Sequence, residues 1–212
     1  MTVPLTDVLR SVRVVPVVAI DDAEDAVPLA RALADGGLPV IEVTFRTDAA
    51  EESIRRISAE CPDVEVGAGT ILTPVQARAA KAAGARFGVS PGFNPVVVAE
   101  CLEIGLPIVP GVNSPSGVEE GLSLGLNLLK FFPAVPSGGL PMVSALAGPY
   151  PQVSFMPTGG ITEATLGEWL AQPNVAAVGG TWIAPRSALT HKDFAGITAR
   201  ARAARELAQN QH

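Results

Sequence analysis

The stretch "GLNLLKFFPA", residues 125–134, reads as a buried strand with a lysine at its centre. Lysine rarely goes inside unless a partner neutralises it or chemistry uses it. Along such a strand Leu128, Lys130 and Phe132 share one face, and Leu129 and Phe131 share the other. Facing outward, Lys130 would meet an apolar helix layer with no water nearby. Facing inward near the C-terminal end of the strand, it enters a pocket. Desolvation there favours the neutral amine, and a neutral amine attacks a carbonyl to form a Schiff base. The plainer alternative is a structural lysine paired with a carboxylate.

A second strand offers that carboxylate. In "VIEVTFRT", residues 40–47, Glu42, Thr44 and Arg46 fall on one face. Two charges and a hydroxyl on one face of a core strand contradict an apolar interior and fit a pocket. Glu42 is placed deeper, where it can move protons as general acid and base. Arg46 is placed at the rim, where it can clamp a substrate carboxylate. The alternative is that Glu42 simply pairs with Arg46 or Lys130. A third strand ends "GAGT" and presents the Thr70 hydroxyl at its rim, and a fourth ends "SPG", where Pro91 makes a rigid apolar wall. Two late strands end "PTGG" (157–160) and "GGT" (179–181). Gly159, Gly160, Gly179 and Gly180, with Thr181, can bring backbone N–H groups close to an anion such as phosphate.

Other chemistries lack their residues. The histidines are His191 and His212 alone, which leaves a serine nucleophile without its usual base. No His, Cys, Asp and Glu set has metal-ligand spacing, and no nucleotide fingerprint follows the first strand. Trp169, Trp182 and Tyr150 read as packing residues. Cys61 and Cys101 read as buried free thiols, with no disulfide framework. A net charge of −6 argues against a nucleic-acid partner, so an anionic substrate must be held by local groups. No export signal or membrane-length apolar run is present, which makes cytoplasmic the expected location.

Positioning these residues takes a repeating frame. Short β-branched runs occupy 14–20, 39–45, 64–70, 86–91, 107–112, 126–133, 152–159 and 175–181. Ala-rich helical patterns alternate with them, including "DAEDAVPLARALADGG", "DAAEESIRRISAE", "TPVQARAAKAAGA", "NPVVVAECLEIGL" and "SPSGVEEGLSLGL". Thr73 and Asn94 are expected N-caps, each followed by Pro at the first helical position. A long helix within "HKDFAGITARARAARELAQ" ends the pattern, and residues 1–12 are expected to hold a short helix under the first strand. Eight strand–helix units, spaced roughly 20 to 25 residues apart, predict an α/β (β/α)8 TIM barrel. The 212 residues are expected to form one domain, since barrels of about 200–250 residues are commonly single domains. Hydrophobic residues make up 48% of the chain, enough for a large aliphatic core. In such a barrel, active groups sit at the C-terminal strand ends and phosphate favours the last two loops.

Six segments, taken together and in order, resemble one family. "EVTFRT", "VGAGTIL", "VSPGFNP", "LLKFFPA", "MPTGGI" and "VGGTW" resemble the class I 2-keto-3-deoxy-6-phosphogluconate (KDPG) aldolases, which often also cleave 4-hydroxy-2-oxoglutarate (KHG). The resemblance spans nearly the whole chain. It implies a trimeric (β/α)8 barrel that yields pyruvate and glyceraldehyde 3-phosphate, with no metal and no organic cofactor. It implies that Lys130 forms the Schiff base and Glu42 is the general acid and base. Arg46 and Thr70 would hold the pyruvyl carboxylate, with Thr158 at the same end. Pro91 and Phe132 would be pocket walls, and Gly159, Gly160, Gly179, Gly180 and Thr181 would hold phosphate. Thr181 stands where the family commonly has serine. The wording after Pro91 and in "PGVNSPSGVEE" also departs from the family pattern. The rival readings are a sugar-phosphate epimerase or isomerase, and a non-catalytic barrel that binds phosphate esters, because fold alone does not select a reaction.

Overall fold

A computed structural model describes residues 5–210. Helix α1 (Leu5–Val12) leads into β1 (Val14–Val18), α2 (Ala26–Asp35), β2 (Val40–Thr44), α3 (Ala50–Glu60) and β3 (Glu65–Gly69). Then come α4 (Pro74–Ala82), β4 (Phe87–Val89), α5 (Pro95–Glu103), β5 (Ile108–Val109) and β6 (Gly111–Val112). The chain continues through α6 (Pro115–Ser123), β7 (Leu128–Phe131), α7 (Gly139–Ala147), β8 (Ser154–Pro157) and α8 (Leu166–Leu170). It ends with β9 (Val178–Gly180), α9 (Arg186–Thr190) and α10 (Phe194–Gln209).

Each expected strand run contains an observed strand, with one correction. The fifth run, 107–112, divides at Pro110 into β5 and β6, since proline has no N–H to give the ladder. The helix expected before β1 is α1, and Met1–Pro4, like His212, lie outside the described residues. The "DAEDAVP" segment also differs from expectation. Its acids sit in a single 3₁₀ turn, Ala23–Asp25, capped by Asp22, and the α-helix begins only at Ala26. Thr73 and Asn94 do cap α4 and α5, accepting from the amides of Gln76 and Val96, and Ser114 does the same for α6.

All strand pairings are parallel. Six strands run in the order β5-β4-β3-β2-β1-β9, and three in the order β6-β7-β8. The fold is thus an α/β fold whose parallel sheet curls around an interior. That interior is one apolar cluster: Val15, Val40, Phe87, Val89, Val109, Leu128 and Met156 from the strands, with Leu9 and Val12 of α1 beneath. A larger aliphatic cluster fills the layer between strands and helices. Leu128 belongs to the inner cluster, while Leu129 and Phe131 belong to the outer one. The side-chain alternation therefore turns Lys130 inward, as the strand pattern predicts.

Candidate active site

The inward turn brings Lys130 to Glu42. Its Nζ donates to Glu42 Oε1 at 3.2 Å, although the two residues are 88 positions apart. β7 and β2 are not neighbours in the sheet, so this contact crosses the interior. Lys130 is 4% exposed and Glu42 0%. Burial makes the pair interdependent, because either charge alone in this position carries a large desolvation penalty. The Phe132 ring lies 5.4 Å from the ammonium, a further contact that favours a cation. Glu42 Oε2 is buried and has no hydrogen-bond partner among the described residues. The carboxylate therefore retains one acceptor beyond its bond to lysine.

The rim residues sort into two groups. Arg46 is exposed just past the end of β2, and its Nε donates to Thr70 Oγ1 at 3.2 Å. Thr70 holds a left-handed backbone, with φ of 57°, unusual for a β-branched residue. Thr44, on the same face as Glu42 and Arg46, donates its hydroxyl to the Val18 carbonyl at 3.1 Å, which ties β2 to β1. Arg46, Thr44 and Thr181 line one open cavity of about 300 Å³, together with Trp182 and Arg186. Pro91 and Phe132 line a second, of about 340 Å³, with Phe93, Asn113 and Ser114.

The loop after β8 meets β9 itself through a bridge between Thr158 and Gly179. Thr158 is buried, and its hydroxyl oxygen has no partner among the described residues. Gly159 and Gly160 have φ of 104° and 83°, open only to glycine at no steric cost. The loop after β7 packs against this turn, with the amides of Ala134 and Val135 donating to the carbonyls of Thr158 and Gly159. Thr181 therefore shares its cavity with Arg46, whereas Gly159 lies beside Phe132, Pro133 and Ala134. The five residues expected at one phosphate site are spread along this seam.

Two lining residues escaped the sequence reading. Trp182, read there as packing, rests on Gly180 but also lines the cavity of Arg46 and Thr181. Arg186, at the start of α9, lines it too and is held by Asp21 through two hydrogen bonds. Trp182 directly follows "GGT", and Arg186 comes one short turn later, after Pro185; that nearness was the available signal. Trp169 and Tyr150 are core residues, with Tyr150 donating to Glu119. Cys61 and Cys101 are buried free thiols. The other lysines are exposed: Lys81 donates to the Gly105 carbonyl, and Lys192 faces Asp25. Among the described residues, no group of three or more His, Cys, Asp or Glu side chains could hold a metal ion.

A buried lysine–carboxylate pair under the C-terminal strand ends of a curled parallel sheet offers the two groups that an imine-forming site would need, an amine and an acid–base carboxylate. Comparison with known proteins gives the family. The profile of KDPG and KHG aldolases matches residues 5–200. The 2-dehydro-3-deoxy-phosphogluconate aldolase of Treponema pallidum is 52% identical over 197 residues, covering 93% of this chain and 94% of that protein. A crystal structure of the KDPG aldolase of Legionella pneumophila, with pyruvate captured at low pH as a covalent carbinolamine intermediate, is 44% identical. It superposes with a TM-score of 0.91 over 94% of this chain and 97% of that one. The Zymomonas mobilis enzyme, solved with 3-phosphoglycerate, has a TM-score of 0.88 at 41% identity and covers 94% of each chain. The chain belongs to the KDPG and KHG aldolase family.

Proposed function

We propose that this chain is a class I aldolase that cleaves 2-dehydro-3-deoxy-6-phosphogluconate to pyruvate and glyceraldehyde 3-phosphate, and 4-hydroxy-2-oxoglutarate to pyruvate and glyoxylate. The observation that carries this reading is the buried Lys130–Glu42 contact of 3.2 Å. A proton crossing that contact leaves the amine neutral. The amine attacks the C2 ketone, and Glu42 returns its proton to the departing hydroxyl, giving water and a protonated imine. Glu42 then takes the C4 hydroxyl proton. The C3–C4 bond breaks, and its electrons flow into the iminium to give an enamine and the free aldehyde. Glu42 protonates the enamine carbon, water adds to the resulting imine, and pyruvate leaves Lys130. The iminium is the electron sink, so this route calls on no metal or organic cofactor.

Arg46 and Thr70 hold the substrate carboxylate, with Thr158 at the same end, and Pro91 and Phe132 wall the pocket. The backbone of Gly159, Gly160, Gly179 and Gly180, with Thr181, holds the phosphate. The sheet closes as an eight-stranded (β/α)8 barrel within one domain. Two features support closure: β5 and β6 count as one strand broken at Pro110, and isolated bridges join Phe155 to Val175 and Thr158 to Gly179. The family resemblance adds a homotrimer working in the cytoplasm. Nothing in the pocket favours the epimerase or binding-barrel readings.

Incubation with pyruvate, borohydride reduction and peptide mass spectrometry test the reaction. A single adduct on Lys130 is expected. A folded protein with no adduct would remove the imine mechanism.

A further inference from the structure

The reach of Glu42 depends on an empty position in the next strand. β2 and β3 pair in register, with Thr44 opposite Gly69. The Glu42 side chain runs over the Cα of Gly69. A Cβ built there would lie 2.2 Å from Glu42 Oε1, 2.6 Å from Cγ and 2.8 Å from Cδ. Any side chain at 69 would therefore collide with the stem of Glu42 as well as its tip. Glu42 has little room to give, being 0% exposed with Oε1 held by Lys130. Nor does the backbone ask for glycine here, because Gly69 has no positive φ, unlike Gly159 and Gly160. The remaining reason for glycine at 69 is the space that Glu42 occupies.

We infer that Gly69 is a positioning residue: its missing side chain forms the slot that aims the Glu42 carboxylate at Lys130. This rests on the imine reading and specifies how that site is set. The slot matters because the proton must cross a 3.2 Å contact, and a displacement of about 1 Å at a reacting group can cost about 10²-fold in rate. The arrangement recurs at Thr158, whose Oγ1 lies 2.2 Å from a Cβ built on Gly179.

Pyruvate trapping on the unmutated protein comes first, because no adduct on Lys130 would refute the imine reading before any substitution is made. With the adduct in hand, Gly69→Ala is expected to lower kcat about 10²-fold with KM nearly unchanged, since Arg46 and Thr70 are untouched. The rate of adduct formation should fall in step. In Gly69→Ala/Glu42→Ala the Cγ, Cδ and Oε1 that meet the new methyl are gone, so Gly69→Ala should cost nothing beyond the loss in Glu42→Ala. That double variant should lose less than the product of the two single losses. Unchanged kcat in Gly69→Ala, or losses that simply multiply, would overturn the inference. If Gly69→Ala does not fold, it is added to a Glu42→Ala/Lys130→Met background, which strands no buried charge. An unchanged stability there locates the collision on Glu42, and a further loss of stability refutes it.

Discussion

Lys130 and Glu42 share one buried contact, and among the described residues neither has a second ion-pair partner. Removing the lysine leaves a carboxylate stranded under the pocket. Lys130→Met is expected to abolish turnover and to lower unfolding stability by about 3–5 kcal/mol. Adding Glu42→Gln should restore most of that stability without restoring activity, which urea titration of both proteins would measure. Glu42→Gln alone should slow turnover by roughly 10²–10⁴-fold, the usual contribution of a positioned acid–base group. Cys101 offers a residue-scale test unconnected with catalysis. Burial, and secondarily the charge of Glu100, pushes its thiol up to about 11. In the folded protein it stays protonated at pH 8 and should resist iodoacetamide. Unfolded, it ionises near about 8.5. The folded state should therefore lose stability as pH rises from about 8.5 towards 11, a loss that Cys101→Ala would remove.

At the scale of elements, capping and close approach set the frame. Thr73 and Asn94 each satisfy an amide that α4 or α5 would otherwise leave bare. Thr73→Ala or Asn94→Ala should lower stability by about 1 kcal/mol in a denaturant titration. Gly36, at the end of α2, lets α10 approach: a Cβ there would sit 2.5 Å from Ala201 Cβ and 2.8 Å from the Thr198 carbonyl. Gly36→Ala should therefore destabilise by about 1–3 kcal/mol, the usual penalty of overpacking. The strands were legible because β-branched runs bounded by Gly and Pro mark them. α4 and α5 were legible because caps precede them, and the other long helices because apolar periodicity fills them. α7 was not, since "GLPMVSALA" opens on the second of two left-handed glycines and has no polar stripe to give a period. α8 and α9, five residues each, are too short to show one. Lys130, Glu42, Arg46 and Thr70 stood out because polar residues on core strands are costly. The seating of Glu42 on Gly69 was not legible, because a glycine in a sequence does not say which side chain fills its space.

For the whole molecule, the net charge of −6 gives an anionic substrate no general attraction, so on the proposed reading binding falls to local groups such as Arg46 and Arg186, which line one cavity. The proposed reaction draws on no metal, and incubation with EDTA should leave the rate unchanged. Loss of activity on chelation would favour the metal-using epimerase reading instead. The apolar interior beneath Lys130, sealed by Leu9 and Val12 of α1, has a further consequence. On the proposed reading the site is a well open at the C-terminal strand ends, and the fragment bonded to Lys130 must wait for the one above it to go. Departure is thus sequential, aldehyde first and pyruvate last. In steady-state kinetics, pyruvate should compete directly with substrate for the free enzyme, while the aldehyde should inhibit noncompetitively by recombining with the form that still holds pyruvate. A random release pattern would mean that the well has a second exit.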